Sequence, residues 1–272
     1  MTVSKHFGQP MIEPEKLKAI LYWTGITVFL LVEIYYSYRQ PTVSRFRRWL
    51  ANIPLSIVNG IIYHYIYFAT ILTLLQLTES RNLGLLQSLT LPNWLKIVIG
   101  VALLDFVIYV WHLLNHVVPL FWRFHRVHHS DMYMDVSTAS RFHLGELLLS
   151  GLVRITVIYA FGIPVTAYFL FEILTNLAIQ FHHSSIKVNP WFDNIWRAFF
   201  VPPSLHRVHH SVRIKERDSN YGVIFSVWDR LLGTLRTDVA QDGIVIGIGS
   251  HRDFSGLGFW RLWLMPFTRK TP

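Results

Sequence analysis

Apolar runs constrain this chain more than any other feature of its sequence. Residues from about Leu17 to Tyr38, Ile53 to Leu77 and Trp94 to His116 form stretches dominated by hydrophobic side chains. Each approaches the roughly 20 helical residues needed to cross about 30 Å of hydrocarbon. Two shorter runs, Leu144–Ala160 and Pro164–Phe181, are separated only by Phe161-Gly162-Ile163. They read as a tight helical hairpin that enters the membrane and returns to the face it left. Composition agrees: 52% of residues are hydrophobic and only 15% charged, against roughly a quarter charged in soluble chains. Beyond Phe181 the sequence is amphipathic and polar. There is no cysteine, which excludes disulfides and thiolate metal sites. The first sixteen residues contain Glu13, Pro14 and Glu15 and lack the apolar core of a cleavable leader. The expected fold is an all-α integral membrane protein with about four transmembrane helices, counting the short hairpin.

The chain carries a formal charge of +9, and its placement sets orientation. Arg39, Arg45, Arg47 and Arg48 lie between the first two spans, whereas the next connection offers Arg81 and Lys96 against Glu79. Positive loops face the cytoplasm. The first loop is therefore expected inside, with the arginine run at 45–48 solvated among lipid headgroups. Arg213, Lys215, Arg217, Arg269 and Lys270 in the C-terminal region agree with that orientation.

Four histidine clusters then fall on that same face: His112 and His116; His125, His128 and His129; His182 and His183; His206, His209 and His210. Helical positions i, i+3 and i+4 share a side, so His112 and His116 can grip one ion and each HxxHH presents a convergent set. Pro119 ends the preceding helix and turns the second cluster towards the first. Imidazole suits iron, copper, zinc and nickel. A single zinc uses at most four such ligands, so this many histidines imply two ions. Nine or ten buried imidazoles without partners would cost roughly 1–3 kcal/mol each, together more than a typical domain's whole stability. Two divalent ions on neutral ligands also call for nearby carboxylates. Asp105, Glu146 and Glu172 lie at helical spacings from the clusters. His64 reads as a hydrogen-bonded core residue, and His6 and His251 as surface residues.

At these residues the chain resembles the fatty acid hydroxylase/sterol desaturase superfamily of membrane histidine-box oxidoreductases. His112-Leu-Leu-Asn-His116 and His125-Arg-Val-His128-His129 are similar to its first two boxes, His183-Ser-Ser-Ile to its short third box, and Leu205-His-Arg-Val-His-His-Ser211 to its last. Arg141, His143 and Glu146 in an RxHxxE arrangement, Asn220-Tyr221-Gly222, and Trp228-Asp229-Arg230-Leu-Leu-Gly-Thr234 extend the likeness. The resemblance implies a membrane stem with a cytosolic helical cap enclosing two iron ions, held by the histidines of the four boxes. At the third box the spacing favours His183, with His182 beside it. Arg141, His143, Trp228 and Asp229 join the three carboxylates as residues supporting the ligands. The chain is then organised as membrane helices in residues 1–92, a hydroxylase/desaturase-like catalytic region in 93–240 and a cytosolic tail in 241–272, as one structural unit.

The implied activity is O₂-dependent hydroxylation, or desaturation, of a lipid such as a sterol or fatty acyl chain, in a bacterial inner membrane or endoplasmic reticulum. No GxGxxG follows a strand to bind NAD(P)H or flavin, so a separate ferredoxin- or cytochrome-type donor is expected. It would dock on Arg207, Arg213, Lys215 and Arg217; phospholipid headgroups could use the same patch. Two readings from other classes stand beside this one. A membrane zinc hydrolase would need a base beside the metal, yet arginine follows both His125 and His206. A metal transporter would place its ligands at the bilayer midplane.

Overall fold

The structure is a computed structural model and describes residues 14–41, 43–250 and 257–268; Glu13, His6, His251, Arg269 and Lys270 lie outside the described residues. Helix α1 (Pro14–Tyr35) carries Ile20, Val28 and Leu31 exposed to 52%, 49% and 54%. Apolar exposure of that extent along a whole helix fits lipid, not water. Four helical segments are long and apolar enough to cross a membrane: Glu15–Tyr35, Arg45–Ser88, Asn93–Val117 and Leu144–Phe161. This is an all-helical membrane protein, with no strand among the described residues and only isolated bridges such as Ser37 with Ile186.

The second segment starts earlier than its apolar run. Helix α2 (Arg45–Tyr63) is capped by Ser44, passes through a π-helical turn at His64–Phe68 and continues as α3 (Ala69–Ser80). The arginines at 45–48 are its first turn and not a solvated loop. Arg48 is completely buried. Its guanidinium donates to Asp131 at 2.8 and 2.7 Å, to Asp135 at 2.5 Å and to Thr138 at 3.1 Å. The headgroup assignment fails for Arg48 because two buried carboxylates, far along the chain, neutralise it. Burial pushes the Asp131 carboxyl up, but the Arg48 charge outweighs it and holds Asp131 below the usual carboxylate range. Asn52 joins this network through Asp131 and Ser137. Glu33, near the end of α1, accepts the backbone N–H groups of Val136 and Ser185. His64 is also not a core residue: its side chain is 50% exposed, 3.8 Å from Glu15 and stacked on Phe68.

A short helix, α4 (Leu85–Ser88), leads into α5 (Asn93–Val117). One extended residue, Val118, separates α5 from α6 (Pro119–His129), where proline occupies the first helical turn. A 3₁₀ turn at Val136–Ser140 follows. Helices α7 (Leu144–Phe161) and α8 (Val165–His183) are joined at Gly162, whose φ of 63° is left-handed. That tip packs on Gly84 (φ 88°), where a Cβ would lie 2.2 Å from the Gly162 nitrogen. The legs separate: α7 packs on α3, and α8 on α1 and α5.

The rest of the chain builds the cap from short helices: α9 (Pro190–Trp196), α10 (Pro203–His209), α11 (Ile214–Arg217), α12 (Val227–Leu231) and α13 (Phe259–Leu264). The segment after 256 is not a loose tail. Leu257, Leu262 and Met265 pack with Ala51, Leu55 and Val127, and Arg126 donates to the carbonyls of Met265 and Thr268.

Candidate dimetal centre

The last two turns of α5, the helix α6, the end of α8 and the helix α10 converge at one end of the bundle. Their histidines fall into two groups. His112, His116, His125, His129 and His209 form one; His128, His183, His206 and His210 form the other. Within each group the ligand-capable nitrogens all lie within 4.8 Å of one another. The two HxxHH motifs are shared between the groups. In α6, His125 and His129 go to the first group and His128 crosses to the second. In α10 and its cap, His206 and His210 go to the second and His209 crosses to the first. The i, i+4 pair thus turns to one side and the i+3 residue to the other, and His129 stacks on His210 across the divide at 4.4 Å between ring centres.

Hydrogen bonds at the outer ring nitrogens fix the tautomers. The Nδ1 atoms of His112, His183 and His209 each lie 2.8 Å from a carbonyl oxygen, of Tyr221, Ile179 and Ser219 respectively. A carbonyl only accepts, so Nδ1 carries the proton and Nε2 presents a lone pair inward. His125 Nδ1 meets Glu146 Oε1 at 2.9 Å and His116 Nδ1 meets Asp218 at 3.3 Å. The Nε2 atoms of His112, His116 and His209 are buried without a hydrogen-bond partner. His183 Nε2 lies 2.9 Å from the Nε2 atoms of both His128 and His206, with His210 Nε2 3.1 Å from His206 Nε2. One lone pair cannot serve two such neighbours by hydrogen bonding alone. A cation bound through nitrogens at about 2.1 Å would bring ligand nitrogens to such separations. The donor set fits two ions of the kind imidazole prefers. Burial, then the neighbouring imidazoles, holds His128, His129, His206 and His210 well below the ordinary histidine value, so they are neutral, the form that ligates.

His182 is buried but belongs to neither group; its ring centre is 4.0 Å from that of His206. Glu146 touches the site directly, through His125 and, at 3.4 Å, Asn115. Asp105 and Asp229 do not hydrogen-bond to any histidine. Asp229 accepts the N–H groups of Tyr221 and Gly222 at 2.7 and 2.8 Å, and Asp105 those of Ile224 and Phe225 at 3.1 and 3.2 Å together with Trp228 Nε1 at 2.8 Å. They shape the loop whose carbonyls orient His112 and His209. In the same loop Asn220 takes a left-handed φ of 54° and holds Leu205 and Arg236. Arg141 bonds Val127 O, Asn52 and Ser130. His143 caps α7 through Gly145 N and reaches Trp263 O. Glu172 lies away from the histidines, between Arg154 and Lys18. Asp218 and Ser219 are contacts that sequence reasoning did not name, and Tyr221 entered only as part of the Asn220-Tyr221-Gly222 landmark; Asp218 had a side-chain signal, a carboxylate beside that landmark.

Glu146→Gln removes the charge behind His125. It is expected to weaken metal retention about 10–100-fold, the usual cost of losing a partner behind a ligand. Metal content after titration with a chelator measures it, and unchanged retention would count against this role.

Of the expected basic docking patch, half is internal. Arg207 lies over the Tyr38 ring at 4.0 Å and Arg217 over Trp122 at 4.1 Å, both buried; burial lowers Arg207 to about 10. Cation–π contact with a flanking aromatic draws each side chain inward. Arg213 and Lys215 remain exposed.

A cavity of about 630 Å³ begins at His112, His128 and His183 and runs between the membrane helices. Its rim includes Trp23, Ile57 and Ile61, which are exposed to 43%, 43% and 52%. It therefore opens sideways past exposed apolar side chains, with Glu15 and the half-exposed His64 also at the opening.

The family model described as fatty acid hydroxylase matches residues 97–234, from within α5 through the last landmark. The chain belongs to this family. Among curated relatives, it is 29% identical to ornithine lipid hydroxylase OlsE of Rhizobium tropici over 66% of this chain and 52% of that protein. It is 29% identical to alkylglycerol monooxygenase of Caenorhabditis elegans over 58% of this chain and 31% of that protein. It is 25% identical to cholesterol 25-hydroxylase of Mus musculus over 85% of this chain and 78% of that protein. The chain thus spans about half, or less, of the length of the first two relatives. No solved structure matches the chain.

Proposed function

We propose that this protein is an O₂-dependent di-iron monooxygenase that hydroxylates a membrane lipid. The observation carrying this reading is the pair of imidazole groups, five and four strong, lining one end of a cavity that opens past exposed apolar side chains. In this reading His112, His116, His125, His129 and His209 hold one iron, and His128, His183, His206 and His210 the other. Iron held there would supply the activation of O₂ and the cleavage of an unactivated C–H bond. The balance is one C–H, one O₂, two electrons and two protons giving one C–OH and one water.

The chain's own residues do the rest. The carbonyls of Ile179, Ser219 and Tyr221 keep three ligand rings in one orientation. Glu146 offsets positive charge behind His125. The apolar cavity wall presents hydrocarbon to the histidines and limits water there. Hydroxylation, and not desaturation, is favoured by the relatives, whose names describe hydroxylases or monooxygenases. Arg39 on the connection after α1, with Arg45 and Arg47 in the first turn of α2, supports a cytoplasmic position for the site. Electrons would come from a separate protein, with Arg213 and Lys215 as the exposed cations available to an acidic partner. Neither zinc hydrolysis nor metal transport finds support among these relatives.

The test is elemental analysis of the purified chain together with ¹⁸O₂ labelling of lipids in cells that express it. Two irons per chain and one ¹⁸O in a lipid product are expected. One zinc per chain, or a product oxygen taken from water, would overturn the proposal.

A further inference from the structure

The cavity that begins at the histidines carries charge at its far end. Arg154 on α7, Glu172 on α8 and Lys18 on α1 all line it. The Arg154 guanidinium donates to Glu172 Oε1, and Lys18 Nζ lies 3.4 Å from Glu172 Oε2. Arg154 lies eight residues beyond Glu146, and Glu172 eleven before His183. At 1.5 Å per helical residue these offsets are about 12 and 16 Å. Arg154 lies midway along the Leu144–Phe161 span, where an ionised side chain is expensive and marks a functional position; Lys18 lies near the start of the Glu15–Tyr35 span, 27% exposed.

The three charges do not cancel, since two cations share one carboxylate. Glu15, at the rim, is turned to His64 at 3.8 Å. Arg154 Nε and the Tyr63 hydroxyl, both belonging to cavity-lining residues, are buried without a hydrogen-bond partner. A simple clasp between α7 and α8 would need only the Arg154–Glu172 pair. The second cation and the unused donors remain to be accounted for, and a bound anionic oxygen group would use them.

We propose that Arg154, with Lys18 and Tyr63, binds the anionic oxygen group of an amphiphile whose hydrocarbon extends along the cavity to the histidines. The substrate is then an anionic lipid, and the carbon presented for oxidation lies about 12–16 Å from its charged group, not beside it. The word substrate rests on the oxygenase reading; the binding site does not.

The experiment is equilibrium binding of radiolabelled palmitate, methyl palmitate and hexadecylamine to the full chain in lipid nanodiscs. Palmitate should bind about tenfold tighter than its methyl ester, the size of one charge-assisted hydrogen bond, and hexadecylamine more weakly than either. Arg154→Met should erase the preference for acid over ester. Glu172→Gln, which removes the internal anion, should instead strengthen palmitate binding. Tyr63→Phe keeps the ring and should reduce the preference severalfold, so the proposal remains testable if Arg154→Met does not fold. Equal binding of acid and ester, or a preference that persists in Arg154→Met, overturns it. Metal content measured on the same samples separates this result from the oxygenase reading, since neither outcome depends on turnover.

Discussion

His209→Ala and His210→Ala are expected to strip different metal ions from the same helix end. His209 belongs with His112, His116, His125 and His129, and His210 with His128, His183 and His206. Loss of a direct ligand should weaken its ion by at least about 100-fold, more than loss of a supporting partner, and abolish product formation. The sharper expectation concerns pairs. His206→Ala with His210→Ala removes two ligands from one group and should leave about one iron per chain. His209→Ala with His210→Ala removes one from each and should leave close to none. Plasma mass spectrometry on purified variants decides this. Identical iron content in the two double variants would contradict the crossed assignment.

Arg48→Met is expected to destabilise the protein by about 3–5 kcal/mol, the usual effect of removing one partner from a buried ion pair. Asp131 and Asp135 would remain buried without the guanidinium that bonds both; Arg141 would still act on Asp131, but Thr138 and Asn52 cannot replace the lost charge. Arg48→Lys should recover little, because a single ammonium cannot reproduce the fork that meets both carboxylates. Thermal denaturation in detergent is the measurement. A midpoint equal to that of the unaltered chain would show that the network contributes nothing to stability.

The histidine boxes, the break at Pro119 and the hairpin at Gly162 could all be read from spacing alone. Each is a local feature, set by residues within a few positions of one another. The crossed sharing was less legible. Spacing places i, i+3 and i+4 on one helical side, but the two histidine groups flank that side, and a difference of about 100° per residue separates their directions. Arg48 resembled a surface arginine because its carboxylates lie more than eighty residues away. Ser219 and Tyr221 act through backbone oxygens, which leave no trace in side-chain chemistry. Asp105 was noticed for its helical phase with His112, yet it reaches that histidine only through the loop it holds.

The sideways opening past Trp23, Ile57 and Ile61 sets what concentration means for any lipid that binds there. A molecule arriving through that rim is already dissolved in the bilayer, so its occupancy follows its mole fraction among neighbouring lipids and not its amount per litre of buffer. Diluting the bilayer with inert phospholipid should slow turnover even when the total quantity of reactant in the tube is held constant.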